Sequence, residues 1–347
     1  MVTLGGDCHK RTHTLVAVDD NGRELGTKTV AAVAAGHLEA LRWASQWKER
    51  RWALENCRHL SRRLEADLLL AGESVLQVSP KLMAGARRSA REWGKSDPID
   101  GLAVARAALR EKELPVARLE GESREVKLLL DHRDDLVGER TRVQNRLRWH
   151  IHELEPNFDV PVRSLDRKVV LNRVAKVLAG HRGIAADIAV ELLVRVRQLT
   201  VRINELERQI RDLVTKLAPN LLELDGCAAL GAAKLIGETA GIARFRTPAQ
   251  YAMHNGSAPI PVSSGSHERH RLNRGGNRQL NAALHRIAIT QIRVGGRGQE
   301  YVQRRRAAGD TKREAIRALR RRLSDEVFRR MWQDHLAAAK VPARAAA

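Results

Sequence analysis

Apolar and polar positions alternate in short runs up to about residue 80 and then change to long helical periods. Val2 to Asp7 and Thr14 to Val18 read as strands, and Asp19-Asp20-Asn21-Gly22 is a turn signal leading to a third strand through Thr29-Val30. A helix with Leu38, Leu41, Trp43 and Trp47 follows, then a strand Trp52-Ala53-Leu54-Glu55, a helix with Leu60, Leu64 and Leu68, and a strand Val75 to Val78. A three-stranded meander followed by helix, strand, helix, strand predicts an α/β domain with a mixed sheet.

From about Glu122 the pattern becomes amphipathic helix. Val126, Leu129, Leu136, Val143, Leu147, Ile151 and Leu154 mark one stripe, which Pro156 stops. After a short helix from Val169 to Leu178, Val196, Ile203, Ile210 and Leu217 interleave with Leu192, Leu199, Leu206 and Leu213 at heptad spacing. β-Branched residues at three of the four a positions, with leucine at every d position, favour a parallel two-stranded coiled coil. A seam does not name its partner: a second chain or the 122–155 helix of the same chain would satisfy it. A helix of about 35 residues spans about 50 Å.

Pro219 ends that helix. The segment Leu224 to Ile236 then looks like a helix-hairpin-helix, in which a turn around Gly226 would expose N–H groups to a phosphate. Ala228 stands where a second hairpin glycine is usual, so plain helix packing competes with that reading. A Ser/Gly/Pro loop from Asn255 to Ser266 and a basic run His267 to Arg274 come next, and Arg304-Arg305-Arg306 and Arg320-Arg321-Arg322 fall on predicted C-terminal helices. The resulting regions are 1–115, 116–218 and 219–347.

Composition narrows the partners. A net charge of +21, with basic residues spread through all 347, favours a polyanion. No apolar run approaches the roughly 20 residues of a membrane span, and the first residues lack a signal-peptide layout, so no membrane partner and an intracellular, cytoplasmic location are expected. Cys8, Cys57 and Cys227 have the spacing of neither a disulfide framework nor a zinc site. With aromatics at 3%, base stacking is not the expected main contact.

Four acids then attract notice. In Lys95-Ser96-Asp97-Pro98-Ile99-Asp100, Pro98 suits the first helical position and would make Asp97 an N-cap, with Asp100 on the same face. That is either a capped helix with a spare acid or half of a metal site. Asp7 and Glu55 fall at strand ends, and in α/β sheets sites gather at the carboxyl ends of strands. Four carboxylates in one cleft would need hard divalent cations, which two-metal phosphoryl-transfer sites hold about 4 Å apart. Downstream, Arg269, Arg271 and Arg274 beside the serines Ser263, Ser264 and Ser266 would suit a scissile phosphate, since guanidinium groups bind phosphate bidentately.

Taken together, Asp7-Cys8-His9-Lys10, Glu55, Lys95 to Asp100, Gly256 to Gly265 and His270 to Asn281 resemble the insertion sequence 110 family of DEDD transposases along essentially the whole chain. The resemblance implies an RNase H-like (RuvC-like) domain, a helical coiled-coil spacer and a mainly α C-terminal transposase domain. It implies Mg2+ held by Asp7, Glu55, Asp97 and Asp100. It implies recombination of donor and target DNA through a serine nucleophile, by motif match Ser264. Lys10, Lys95, Arg269, Arg271, Arg274 and Arg278 are the candidate nucleic-acid contacts. A structured noncoding guide RNA and a homo-oligomer, dimer or tetramer, are further implied partners. Gly101 stands where that family commonly has alanine, and Gly6 where it has a β-branched or apolar residue. Two other readings remain open: a RuvC-type junction nuclease that activates water, and a nucleic-acid-binding protein without enzymatic activity.

Overall fold

In the computed structural model the alternating runs form a five-stranded sheet. Its strands are β1 (Val2–Cys8), β2 (Thr12–Val18), β3 (Glu24–Ala31), β4 (Arg50–Glu55) and β5 (Val75–Val78), in the order β3-β2-β1-β4-β5. The meander β1 to β3 is antiparallel, whereas β4 and β5 run parallel to β1, so the sheet is mixed. Residues 1–55, 57, 59–80, 82–83, 85, 96–111, 114–118, 121–262 and 270–340 are described.

Period-two alternation sends the strands' apolar side chains to two cores. Leu4, Leu15, Trp52 and Leu54 meet Ala40 and Ala44 of α1 (Ala34–Ala44) and Leu64 and Leu68 of α2 (Arg62–Leu70). On the opposite face Val16, Val18, Ala53 and Val78 meet the alanine-rich side of α3 (Asp97–Arg110). Leu38 and Leu60, assigned above to helical stripes, are exposed instead. His37 and Ala40 take the inward positions of α1, and Leu60 lies before α2 begins.

Small residues allow α3 to lie directly on the sheet. A Cβ at Gly5 would overlap the Gly101 carbonyl and sit 2.7 Å from Ala105 Cβ, and one at Gly101 would sit 3.0 Å from Val16 Cγ2. Gly101 is thus closely met by the strand, with the Thr14 carbonyl also 3.3 Å from a Cβ there. A Cβ at Gly6 points to the other face, toward the Leu54 methyl tip at 2.6 Å.

The chain divides into two compact units, Met1–Leu119 and Glu120–Ala347. In the second, α4 (Glu122–Leu154) and α6 (Ile184–Leu217) run antiparallel, with α5 (Lys168–Leu178) packed on them. The heptad seam is covered from within the chain. Val196 and Leu199 share a core with Val143 and Leu147, while Ile210 and Val214 share one with Val126 and Leu130. Arg133 with Glu207 at 2.5 Å, and Arg195 with Glu139 at 2.6 Å, fix the register across the pair.

The second core is continuous from Val126 and Ile210 through Leu284 to Val327, so the helical stretch and the C-terminal helices form one unit. These helices are α7 (Pro219–Leu222), α8 (Ala229–Thr239), α9 (Pro248–His254), α10 (Arg278–Val294), α11 (Arg297–Ala307) and α12 (Lys312–Lys340). The turn between α7 and α8 carries Gly226 at φ +82°, but α7 is a single turn. The hairpin packs on α10: Gln291 donates to the Asp225 carbonyl at 2.7 Å, and a Cβ at Gly226 would meet the Ile287 carbonyl at 3.1 Å. A two-stranded sheet, β6 (Pro259–Pro261) and β7 (His270–Leu272), interrupts the helices. Among the described residues no helix is long and apolar enough to cross a membrane.

Gly5→Ala is expected to destabilise the full chain by about 3 kcal/mol, the upper range for overpacking a tight contact. Gly6→Ala is expected to cost well under half of that, because the tip of Leu54 can rotate away. Urea unfolding of the two variants checks the ordering, and equal losses would refute the backbone contact as the tighter constraint.

Candidate functional site

The acids of the first unit converge at one end of β1. Asp7 is the penultimate residue of that strand and is 5% exposed. Gly6 pairs with Leu54 in the parallel β1–β4 register, so the next step brings Asp7 level with Glu55, the last residue of β4. Asp7 and Glu55 alternate in phase with Gly5 and Ala53, the residues that face α3. The first turn of α3 adds Asp97 and Asp100, the latter 6% exposed. Its position follows from the Gly5–Gly101 contact, which holds the helix start over the strand end.

The start of α3 differs by one residue from the sequence expectation. Ser96, extended at φ −149° and ψ 155°, occupies the N-cap, so Asp97 is the first helical residue and Pro98 the second. The Ser96 side chain makes no cap bond there, and the Asp97 carboxylate lies 3.3 Å from His9 Nε2. Acids in the first turn are still favoured by the helix dipole.

His9 is the residue that sequence reasoning passed over. Its Nε2 is 3.0 Å from Asp7 Oδ2, so the imidazole bridges the buried and the exposed carboxylates. Asp7, His9 and Asp97 each offer a ligand atom, all within 4.8 Å of one another. The signal was present in Asp7-Cys8-His9: along an extended chain, i and i+2 share a face. Burial raises the Asp7 carboxyl above its ordinary value; His9 opposes the rise, while Asp100 and Asp97 add to it. For His9, burial pulls downward but Asp7 and Asp97 outweigh it, and the net shift is upward. A site that pushes the buried Asp7 carboxyl toward its neutral form is suited to a cation. Oxygen donors fit a hard divalent ion, and the single imidazole adds a donor that manganese accepts more readily than magnesium.

The second set of predicted residues lies in the other unit. Ser263, Ser264, Ser266 and Arg269 fall outside the described residues, as does Lys95. Lys10 is exposed between β1 and β2, and Arg271, Arg274 and Arg278 are exposed on β7, in the following turn and at the start of α10. The structure does describe the base from which the serine segment emerges. Gly256 has φ +74°, and a Cβ at Gly276 would overlap the Gly256 backbone, so the two glycines clamp the segment's ends together. Asparagines finish the clamp. Asn281 Nδ2 donates to the Asn255 carbonyl at 3.1 Å, and Asn255 Nδ2 to Ser324 Oγ at 2.7 Å. Asn277 caps α10 through Gln279 N and Leu280 N and donates to Glu238 at 2.7 Å.

Comparison with known proteins agrees in both units. Residues 4–156 match the model of a DEDD transposase family of IS110 type, described as Transposase, and residues 218–303 match the Transposase IS116/IS110/IS902 family. The chain is 25% identical to the insertion element IS116 uncharacterized 44.8 kDa protein of Streptomyces clavuligerus, over 94% of each chain. It is also 25% identical to the insertion element IS900 uncharacterized 42 kDa protein of Mycobacterium paratuberculosis, over 96% of each. T. thermophilus RuvC, solved in complex with a Holliday junction substrate, aligns over 31% of this chain and 93% of its own, at 17% identity and a TM-score of 0.26. The protein is thus a transposase, an enzyme that cleaves and rejoins DNA. It belongs to the IS110/IS116/IS902 family.

Because Asp7 is buried among like charges, Asp7→Asn is expected to raise the melting temperature of the metal-free protein by about 2–4 °C per kcal/mol of relieved repulsion. The same change is expected to abolish the stabilisation that wild type gains from Mg2+ or Mn2+, about 2.7 kcal/mol at a hundredfold excess over Kd. Thermal melts with and without each cation decide it. A variant that melts lower and still responds to cation would assign Asp7 a structural role only.

Proposed function

We propose that this transposase cuts and rejoins donor and target DNA through a phosphoserine intermediate on Ser264, with Asp7, Glu55, Asp97 and Asp100 holding Mg2+. The observation that carries the reading is the convergence of Asp7, Asp97 and Asp100, with Glu55 level in register, from separate segments at one end of a mixed sheet. That arrangement supports an RNase H-like fold for the first unit. Mg2+, when bound, would neutralise charge on the transferring phosphoryl group. The chain's own residues do the rest. The Ser264 hydroxyl attacks phosphorus, the bond from phosphorus to one strand oxygen breaks, and that oxygen leaves as a strand-end hydroxyl. Attack by a hydroxyl of the other DNA reverses the step and releases the serine. Ser264 is preferred by motif, with Ser263 and Ser266 as rivals.

A structured RNA encoded beside the element guides target choice in this reading, a homo-oligomer carries out the paired cuts, and the bacterial cytosol is the place of action. The net charge of +21 supports polyanionic partners without distinguishing DNA from RNA.

Incubation of the full chain with its RNA and cognate DNA ends is expected to yield a covalent protein–DNA adduct in wild type and none in Ser264→Ala. Asp100→Asn is expected to lower adduct formation by at least about 10³-fold while DNA binding is retained, the scale at which loss of electrostatic stabilisation acts. Cleavage without any adduct would replace the serine mechanism with an activated water.

A further inference from the structure

In the second unit, β6, β7, α11 and α12 enclose a cavity of about 710 Å³. Six arginines line it: Arg271 of β7, Arg305 of α11, and Arg317, Arg320, Arg321 and Arg322 of α12. Among the described residues two carboxylates line it with them, and both are engaged. Asp310 pairs with Arg305 at 2.6 Å, and Glu314 accepts from the Thr311 hydroxyl and N–H in a capping box that starts α12.

Among the described residues most of the remaining guanidinium groups have no carboxylate partner. Arg321 pairs with Asp325, but among the described residues Arg271, Arg317, Arg320 and Arg322 enter no ion pair. Arg320 donates one bond to Asn281 at 2.7 Å, and its buried Nε finds no partner. Burial and the charge of Arg317 pull Arg320 below the ordinary guanidinium range. Arg322 lies over the Tyr301 ring at 4.7 Å, and the Ser257 hydroxyl on the wall is buried without a partner. Arg320, half-buried, sits beside the exposed Arg271, Arg317 and Arg322, and phosphate oxygens would relieve the repulsion of these like charges. The cavity lies in the size range of small-ligand sites, about 300–1,000 Å³. It therefore admits a short stretch of one strand and not a duplex.

We propose that this cavity seats an unpaired DNA strand, whose phosphates are held by Arg271, Arg317 and Arg320. Its walls include β6 and β7, the strands that flank the serine segment, so a strand seated here is delivered to that segment. That the strand is DNA rests on the serine mechanism proposed above; the preference for a single strand rests on the cavity alone.

The test is fluorescence anisotropy of labelled oligothymidine, the matching duplex and oligouridine, titrated with the full chain across a range of salt. Arg271→Ala/Arg317→Ala is expected to weaken oligothymidine binding by about tenfold or more. It should also reduce the slope of log K against log salt by about 1.4, two phosphates at about 0.7 each for single strands. Duplex binding is expected to change less than about threefold on the same scale of contacts. Arg208→Ala, on the exposed side of α6, controls for net charge and is expected to change neither quantity. Arg271→Lys/Arg317→Lys is expected to restore the slope, which separates loss of charge from loss of fold. Equal losses on duplex and single strand, or none on oligothymidine, would overturn the cavity assignment. Losses confined to oligouridine would overturn the choice of DNA. Ser264→Ala tests the serine mechanism separately, by adduct formation. If that variant still forms the adduct while the arginine pair still weakens binding, the serine mechanism fails and the cavity stands.

Discussion

The first unit is organised by one backbone contact, the approach of Gly5 on β1 to Gly101 on α3. Without side chains at these positions the helix descends onto the strand, and its first turn projects over the strand's end. Acids from two segments that lie far apart in sequence then share a small volume. The same contact that brings Asp97 and Asp100 to Asp7 therefore creates the electrostatic cost of the site. Burial of Asp7 and the neighbouring carboxylates disfavours its charged form, and His9 offsets only part of this. The proximity of the acids therefore opposes stability at this point.

How much of this was legible in the chain depends on period and length. Strands and helices with sustained apolar periods were readable, because each had to bury a face. The start of α3 was misplaced by one residue because either Ser96 or Asp97 could have capped it, and only the extended backbone at Ser96 decides. β6 and β7 were not legible: each has three residues, two of those in β6 are prolines, and neither strand is fully buried. Prolines are compatible with a short edge strand, yet read from sequence they signal a loop. His9 escaped notice because four acids already satisfied the expected ligand count, although its spacing from Asp7 places it on the same face.

The heptads of α6 show the limit of a periodic pattern. Hydrophobic spacing specifies that a stripe must be covered and leaves the covering element open. Here α4 covers it in antiparallel sense, and ion pairs such as Arg195 with Glu139 suit that register. An oligomer of this protein must therefore use surface other than the seam, unless the two helices separate.

A second glycine pair, Gly256 with Gly276, does for the serine segment what Gly5 with Gly101 does for the acids. Each pair trades side chains for a close backbone approach. The surrounding asparagines follow from the same geometry. A backbone clamped at a loop base leaves carbonyls and N–H groups with no helix or sheet partner, and an amide side chain can satisfy both kinds at once. Asn281 shows the consequence most directly: its Nδ2 ties down the Asn255 carbonyl while its Oδ1 accepts from Arg320. The residue that fixes the base of the serine segment thus also orients a guanidinium in the basic cavity. The loop base and the arginine-rich helix are coupled through that one side chain.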